Sequence, residues 1–208
     1  MSVVITVAQQ KGGAGKTMLV ASLAAALAEG ARVAVLDIDP QRSLARWHGL
    51  RAGRAGVPGI VLSDLSGWRL PAEIDRLRRA HDVLVVDTPP QVESDAKVAI
   101  RAADLVLVPV QPSPPDLWAA EGTLKLARGE RRPFRLVLNR APAGGSLRAA
   151  VEAEMARQGL PVLDAVLGNR VGFAGAFAKG LGVTEAAPRS VAAREMRAVL
   201  EEIRAALR

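Results

Sequence analysis

QQKGGAGKT, residues 9–17, follows an apolar run from Val3 to Val7 and precedes a helix-forming stretch from Met18 to Ala28. Strand, glycine-rich loop and helix in that order make a phosphate-binding arrangement. Successive backbone N–H groups of such a loop point into one concavity, and the helix adds its positive N-terminal end. Gly12, Gly13, Ala14 and Gly15 let an anion such as a nucleotide phosphate approach closely, and Met18 closes the set of residues expected at the ligand. Lys16 is positioned to reach β- and γ-phosphates, and the Thr17 hydroxyl to bind the Mg²⁺ that accompanies ATP. The general pattern G-x-x-x-x-G-K-[ST] requires glycine at position 10, but Gln10 stands there and Lys11 follows it.

Composition bounds what the loop belongs to. A chain of 208 residues suits one domain with a full core. No uninterrupted apolar run reaches the ~18 residues of a membrane span. The N-terminus lacks the charged, apolar and small-residue segments of a signal peptide, so a cytoplasmic location is expected. The chain has no cysteine, which excludes disulfides and thiolate-held clusters. A net charge of +7 favours a polyanionic partner, nucleic acid or acidic membrane. The basic residues are mostly arginine in a chain rich in alanine, glycine and proline, as a GC-rich genome would produce, so charge alone does not decide.

Short apolar runs alternate with helical patterns, which predicts an α/β fold with a mainly parallel β-sheet flanked by helices on both faces. The first helix ends at Gly30. Arg32 to Asp37 forms a strand that delivers Asp37 and Asp39 at its carboxyl end, where open α/β sheets bind ligands. Ser43 to Leu50 reads as a short helix, Gly53 to Gly59 as a loop and Ile60 to Leu62 as a weak strand. Pro71 to Ala80 reads as a helix with Ile74 and Leu77 on one face. Val83 to Val86 has the form of a buried parallel strand and ends in Asp87, followed by a loop of Thr88, Pro89 and Pro90. Glu93 to Ala103 is expected to be helical and Leu105 to Val108 a strand. Pro109 to Asp116, PVQPSPPD, reads as a turn between packed elements rather than a PxxP ligand, with Asp116 capping a helix from Leu117 to Arg128. Phe134 to Leu138 is a strand ending in Asn139, and Ser146 to Gln158 a helix. A last apolar run, Val162 to Leu167, leads into an irregular stretch carrying Arg170 and Lys179. Val191 to Leu207 is an amphipathic helix with Met196, Val199, Leu200, Ile203 and Leu207 on one face. No repeat or linker divides the chain, so one domain over residues 1–208 is expected.

The loop with its early lysine, the DxDPQ segment (Asp37 to Gln41), the apolar strand ending in Asp87, the PSPPD turn and the C-terminal helix occur in the order of the ParA/MinD superfamily of P-loop ATPases. The chain resembles a small ParA-type partitioning ATPase. Longer relatives carry a helix-turn-helix extension; here Met1 and Ser2 precede the first strand, so sequence-specific operator binding is not expected. The lack of cysteine sets aside the nitrogenase iron protein, and the lack of tyrosine the bacterial tyrosine kinases of the same superfamily. Met18 stands where a second threonine is common and leaves the metal role of Thr17 intact.

The resemblance implies a P-loop NTPase domain that binds ATP and Mg²⁺, forms a homodimer with ATP and binds DNA without sequence preference. It implies slow hydrolysis until a ParB-like or other partner protein stimulates it, and a nucleoid-associated, cytoplasmic location with no membrane partner. Lys11 would reach the nucleotide of the partner subunit. Asp87, as the Walker B residue, would hold the outer Mg²⁺ shell together with Asp37, and Asn139 would contact adenine. Phosphoryl transfer needs charge neutralisation and an oriented water. Lys16, Mg²⁺ on Thr17, and Lys11 in trans would supply the charge, and Asp39 would orient the water. DNA contacts are expected at Arg170, Lys179, Arg189, Arg194 and Arg197, where Glu185 and Glu195 are the acids between Arg170 and Arg197. The Arg128 to Arg140 cluster is the competing surface. Two further readings stand beside this one. A MinD-like membrane-associated ATPase would need a separate basic amphipathic tail; the C-terminal helix is amphipathic, but Glu195, Glu201 and Glu202 and its place within the expected fold read as a packed helix. A biosynthetic enzyme of the dethiobiotin synthetase type would leave Lys11 without a role. A plasmid, a chromosome and a protein cluster are all open as cargo.

Overall fold

The computed structural model describes residues 2–90 and 94–208. Six strands, β1 (Val3–Val7), β2 (Val33–Asp37), β3 (Ile60–Ser63), β4 (Val83–Asp87), β5 (Leu105–Val110) and β6 (Phe134–Leu138), form one parallel sheet in the order β3-β2-β4-β1-β5-β6. The helices are α1 (Lys16–Ala28), α2 (Ser43–Arg51), α3 (Leu70–Ala80), α4 (Ser94–Ala102), α5 (Pro114–Gly129), α6 (Ser146–Arg157), α7 (Val171–Phe177), α8 (Val183–Ala186) and α9 (Val191–Ala206). A 3₁₀ turn, Gly67–Arg69, leads into α3. Strands added after β4 extend the sheet on the far side of β1, so the loop leaving β1 opens at the point where the strand order switches direction.

Successive strand residues face opposite sides of the sheet. Ile5, Val7, Val35 and Val85 face a layer made by α1, α7, α8, α9 and Trp47 of α2. Val4, Leu36, Leu84 and Val86 face α3, while Val106, Val108 and Leu136 face α5 and α6. Helix α1 is buried almost throughout, from Leu19 to Ala28, and therefore carries no amphipathic stripe. Met196, Val199, Leu200 and Ile203 of α9 pack in the same core as α1. Burial of each such side chain contributes roughly 1.5–3 kcal/mol, so this helix is held in the fold by its apolar face. No helix among the described residues is long and apolar enough to cross a membrane.

Several boundaries differ from the sequence pattern for physical reasons. Helix α1 begins at Lys16 rather than Met18, because left-handed Gly15 (φ 87) starts it directly from the loop. Strand β5 continues to Val110, and Pro109 lies inside it opposite Val137, so the proline-rich segment is part strand and only part turn. Ser113, not Asp116, caps α5: its Oγ accepts the N–H of Asp116 at 3.3 Å. Pro114 and Pro115 occupy the first turn, where a missing N–H costs little. The segment around Arg170 is not irregular, since Arg170 precedes α7 and α8 follows. Val162 bridges Leu136 at the outer side of β6, and Leu163 and Leu167 donate backbone hydrogen bonds to Leu136 and Leu138. Glu93, the expected start of the fourth helix, lies outside the described residues.

Candidate functional site

The parallel register sets Val7 beside Asp87 and Asp37 beside Asp87, so three strand ends meet where the loop leaves β1. Gly13 (φ 81) and Gly15 (φ 87) take the left-handed backbone that side chains disfavour, and they turn the loop over the start of α1. Among the described residues no side chain caps that helix, so its first N–H groups are left to face an anion. A cavity of about 240 Å³ opens there, lined by Gly12, Gly13, Lys16, Thr17, Asp39 and Arg140 among others. Side chains from the exits of β5 and β6 bind the loop's carbonyls. Gln111 Nε2 and Arg140 Nη1 donate to the Gly13 carbonyl at 2.9 and 3.1 Å, and Asn139 Nδ2 donates to that of Ala14 at 2.8 Å. With those carbonyls engaged by side chains, the loop's N–H groups remain as its donors for an anion.

The two lysines are both engaged by the chain itself. Buried Lys16 donates to the Gln9 carbonyl at 3.0 Å. Burial lowers its pKa, and the charges of Asp87 and Asp39 pull it back up. Lys11 Nζ lies 2.5 Å from Oδ2 of Asp116, a residue with 2% exposure that also accepts the Ser113 hydroxyl at 2.6 Å. Gln9 Nε2 reaches the carbonyls of Pro109 and Asp116 at 3.3 and 3.4 Å and so ties the loop to the start of α5. A Cβ on Gly122 of α5 would overlap the Gln10 side-chain amide, so the glutamine that departs from the general pattern is seated on a glycine of the neighbouring helix.

The acids divide into two roles. Asp87 is fully buried, and among the described residues neither of its oxygens has a hydrogen-bond partner. Burial pushes its carboxyl up to about 8, opposed in part by the nearby Thr17 hydroxyl and the Lys16 charge. An orphaned carboxylate beside a threonine hydroxyl suits a cation or its water. Asp37, by contrast, is occupied: Oδ1 accepts the Asp39 N–H at 3.2 Å and Oδ2 that of Ala45 at 2.8 Å, so it caps α2 from the end of β2. Burial raises its pKa, and these two backbone bonds counter the rise. Asp39 sits half-buried at the cavity mouth, its Oδ1 accepting the Gln41 N–H at 2.9 Å. No group of three or more His, Cys, Asp or Glu among the described residues could hold a metal alone. A divalent cation that keeps its waters and takes one or two protein groups plus phosphate oxygens, as Mg²⁺ does, fits this donor set.

A second cavity, of about 280 Å³, lies on the other side of Arg140, with Met18, Leu19 and Phe173 as apolar walls and Asn139 and Asn169 as polar ones. Asn139 Oδ1 accepts the N–H of Arg140 at 3.0 Å. The motif positions Lys16, Thr17, Asp39, Asp87 and Asn139 thus come together. Motif reading missed Gln111, Arg140, the Gln9 bridge and the inward aim of Asp116. Gln111 directly follows β5 and Arg140 lies two residues past β6, at the carboxyl ends where parallel sheets bind ligands, and that signal was available.

The C-terminal basic residues are not equivalent. Arg170 is compensated by Glu195, with Nη2 2.6 Å from Oε1. Arg194 and Arg197 donate to the carbonyls of Arg189 and Pro188 at 3.1 and 2.7 Å, which brings two guanidiniums to the backbone just before α9. Lys179 and Arg189 are exposed. The competing cluster is split by β6: Arg128 stacks over Phe134 at one end of the strand and Arg140 lies past the other. At roughly 3.3 Å per residue, these do not form one patch.

The model of the CobQ/CobB/MinD/ParA nucleotide binding domain matches residues 5–183. Maintenance of carboxysome distribution protein A of Halothiobacillus neapolitanus is 32% identical over 209 residues, covering 96% of this chain and 95% of that protein. The chromosome-partitioning ATPase Soj of Thermus thermophilus is 34% identical over 240 residues, covering 97% and 95%. The septum site-determining protein MinD of Pyrococcus horikoshii, solved as a complex with Mg-ADP, has the same fold, with a TM-score of 0.79 at 20% identity over 98% of this chain and 96% of that one. These matches span the strands, loop and helices that build the site, and the chain belongs to the CobQ/CobB/MinD/ParA nucleotide binding domain family.

Proposed function

We propose that the protein is a ParA-type positioning ATPase, one domain that binds ATP with Mg²⁺, dimerises on it and engages DNA without sequence preference. The observation that carries this reading is the polarity of the cavity. The uncapped start of α1, Lys16 and Thr17 line it, and the unpartnered carboxylate of Asp87 lies buried behind it, near Thr17 and Lys16. A magnesium–triphosphate has that distribution of charge. When bound, Mg²⁺ supplies charge neutralisation on the phosphates, and Thr17 and Asp87 are the groups that would hold it. Lys16 exchanges the Gln9 carbonyl for the β- and γ-phosphates. Asp39, at the mouth, orients the attacking water, while Asp37 keeps α2 and hence Asp39 in place. Lys11 leaves Asp116 for the phosphates of the partner subunit, and Asn139, on the wall of the second cavity, contacts the adenine there.

Relatives that distribute carboxysomes and partition chromosomes support a positioning role, with a ParB-like or other partner protein that stimulates hydrolysis. The burial of the α9 apolar face weighs against a membrane tail. The test is light scattering and co-sedimentation with DNA or with acidic liposomes, with and without ATP, on the native chain and Lys16→Ala. The native chain should dimerise and pellet with DNA only with ATP, and Lys16→Ala should do neither. ATP affinity unchanged in Lys16→Ala, or ATP-dependent pelleting with liposomes instead of DNA, overturns the reading.

A further inference from the structure

We propose that Arg140 is a nucleotide-binding residue that supplies positive charge in cis to the inner end of the phosphate chain. This rests on the nucleotide reading above. Met18 and Arg140 are the residues common to the linings of the two cavities, the polar one over the loop and the apolar one beside Phe173. A ligand with phosphates in the first cavity and a heterocycle in the second is a nucleoside di- or triphosphate, and its connecting segment must pass the side chain that borders both.

The geometry around Arg140 fits that task. Its backbone is left-handed (φ 52), a conformation that non-glycine residues rarely hold unless their surroundings impose it. Here the constraint is the Asn139 side chain, whose Oδ1 accepts the Arg140 N–H while its Nδ2 bonds Ala14. The same conformation sends the guanidinium back over the loop, where Nη1 donates to the Gly13 carbonyl at 3.1 Å. A guanidinium has five N–H donors, so most of its capacity is left over after that bond. No carboxylate among the described residues pairs with it, in contrast to Arg170, Arg101 and Arg148, each of which has a glutamate. A planar, always-charged fork next to a site for phosphates makes charge-assisted, bidentate contacts that a neutral side chain cannot replace. Because the residue stands between the cavities rather than at the far end of the first, the contact falls on the part of the chain that ATP and ADP share.

The experiment is calorimetric titration of ATP and ADP into the native protein, Arg140→Gln, Arg140→Gly, Arg140→Lys and Lys16→Ala. Arg140→Gln keeps a donor for the Gly13 carbonyl but removes the charge. Arg140→Gly relaxes the left-handed backbone and should leave the nucleotide-free thermal midpoint at or above the native value. Both should bind ATP and ADP roughly ten- to hundred-fold more weakly, the scale of one charge-assisted hydrogen bond, and Arg140→Lys should recover part of the loss. Raising salt should weaken the native protein more than Arg140→Gln. Native affinity in both Arg140→Gln and Arg140→Gly, or a loss confined to ATP, overturns the proposal. If Lys16→Ala is weakened while these two are not, only the role of Arg140 falls; if Lys16→Ala also binds normally, the nucleotide reading itself falls.

Discussion

A carboxylate that is fully buried with neither oxygen hydrogen-bonded, as Asp87 is, destabilises the empty protein. Asp87→Asn, which removes the buried charge, should therefore stabilise the nucleotide-free fold by about 1–3 kcal/mol where the carboxyl is ionised, while abolishing Mg²⁺-dependent turnover. Because the folded pKa is raised above that of a free carboxylate, the native chain loses stability as pH rises from the ordinary carboxylate range toward 8. Thermal melts should consequently show a larger gain for Asp87→Asn at pH 8 than at pH 5; an equal or negative difference would mean that the carboxylate has a partner in solution. Lys11 gives the second residue-scale test. Lys11→Ala should bind ATP but stay monomeric by light scattering, whereas Asp116→Asn, which releases Lys11 from its 2.5 Å contact, should dimerise at lower ATP than the native chain. A dimer of native stability in Lys11→Ala removes the role in trans. Lys16, Thr17 and Lys11 were legible because one contiguous stretch carries them. Asp116 was misread as a helix cap, because its type and the prolines before it fit one; its partner lies 105 residues away in sequence, a separation that no local pattern reports.

Two pairings between elements put the packing to the test. Gln10 of the loop sits on Gly122 of α5, and an alanine there would force the flexible amide aside rather than the backbone. Gly122→Ala should therefore melt no lower than the native chain, since alanine favours a helix over glycine by roughly 0.5–1 kcal/mol, yet bind ATP more weakly. Equal ATP affinity would show that Gln10 does not help to shape the loop. Arg51 and Glu185, exposed by 3% and 8%, form a buried pair at 2.6 Å that fastens α2 to α8, and α2 carries the Ala45 N–H that Asp37 binds. Removing one partner leaves an uncompensated buried charge, so Glu185→Ala should lose about 3–5 kcal/mol, visible as an earlier denaturant midpoint. The sequence pattern reproduced β1 and β6 residue for residue, because apolar runs bounded by polar residues mark parallel strands. It missed α7 and α8 because seven and four residues are too few to display a helical period. Proline by its missing N–H predicts the end of β5 at Val108, yet Pro109 stays in the strand and its carbonyl accepts the Gln9 amide.

On the scale of the whole molecule, the fold and the charge distribution together select a surface for the proposed DNA binding. The carboxyl ends of the strands are given to the nucleotide, and the cluster from Arg128 to Arg135 lies at the opposite end of β6. The guanidiniums of Arg194 and Arg197 meet the backbone just before α9, and Arg189 and Lys179 are exposed, while the charge of Arg170 is already met by Glu195. The net charge of +7 was visible in composition, but which arginines are compensated was not, because compensation is a property of contacts across the fold. Each phosphate contact contributes little, so two copies on one dimer should be needed to hold DNA, the second set acting at high effective concentration. Binding should fall with salt by ~0.9 log units per log unit for each phosphate neutralised. Changing Arg189 or Arg194 to Gln should flatten that slope by roughly two units per dimer if both copies touch phosphate. Arg170→Gln should change it much less. The measurement is ATP-dependent DNA affinity across a salt series for each variant, with melts to confirm folding. If the triple change at Arg189, Arg194 and Arg197 leaves affinity and slope at native values, the surface around α9 is not the DNA face and the Arg128 to Arg135 cluster takes its place.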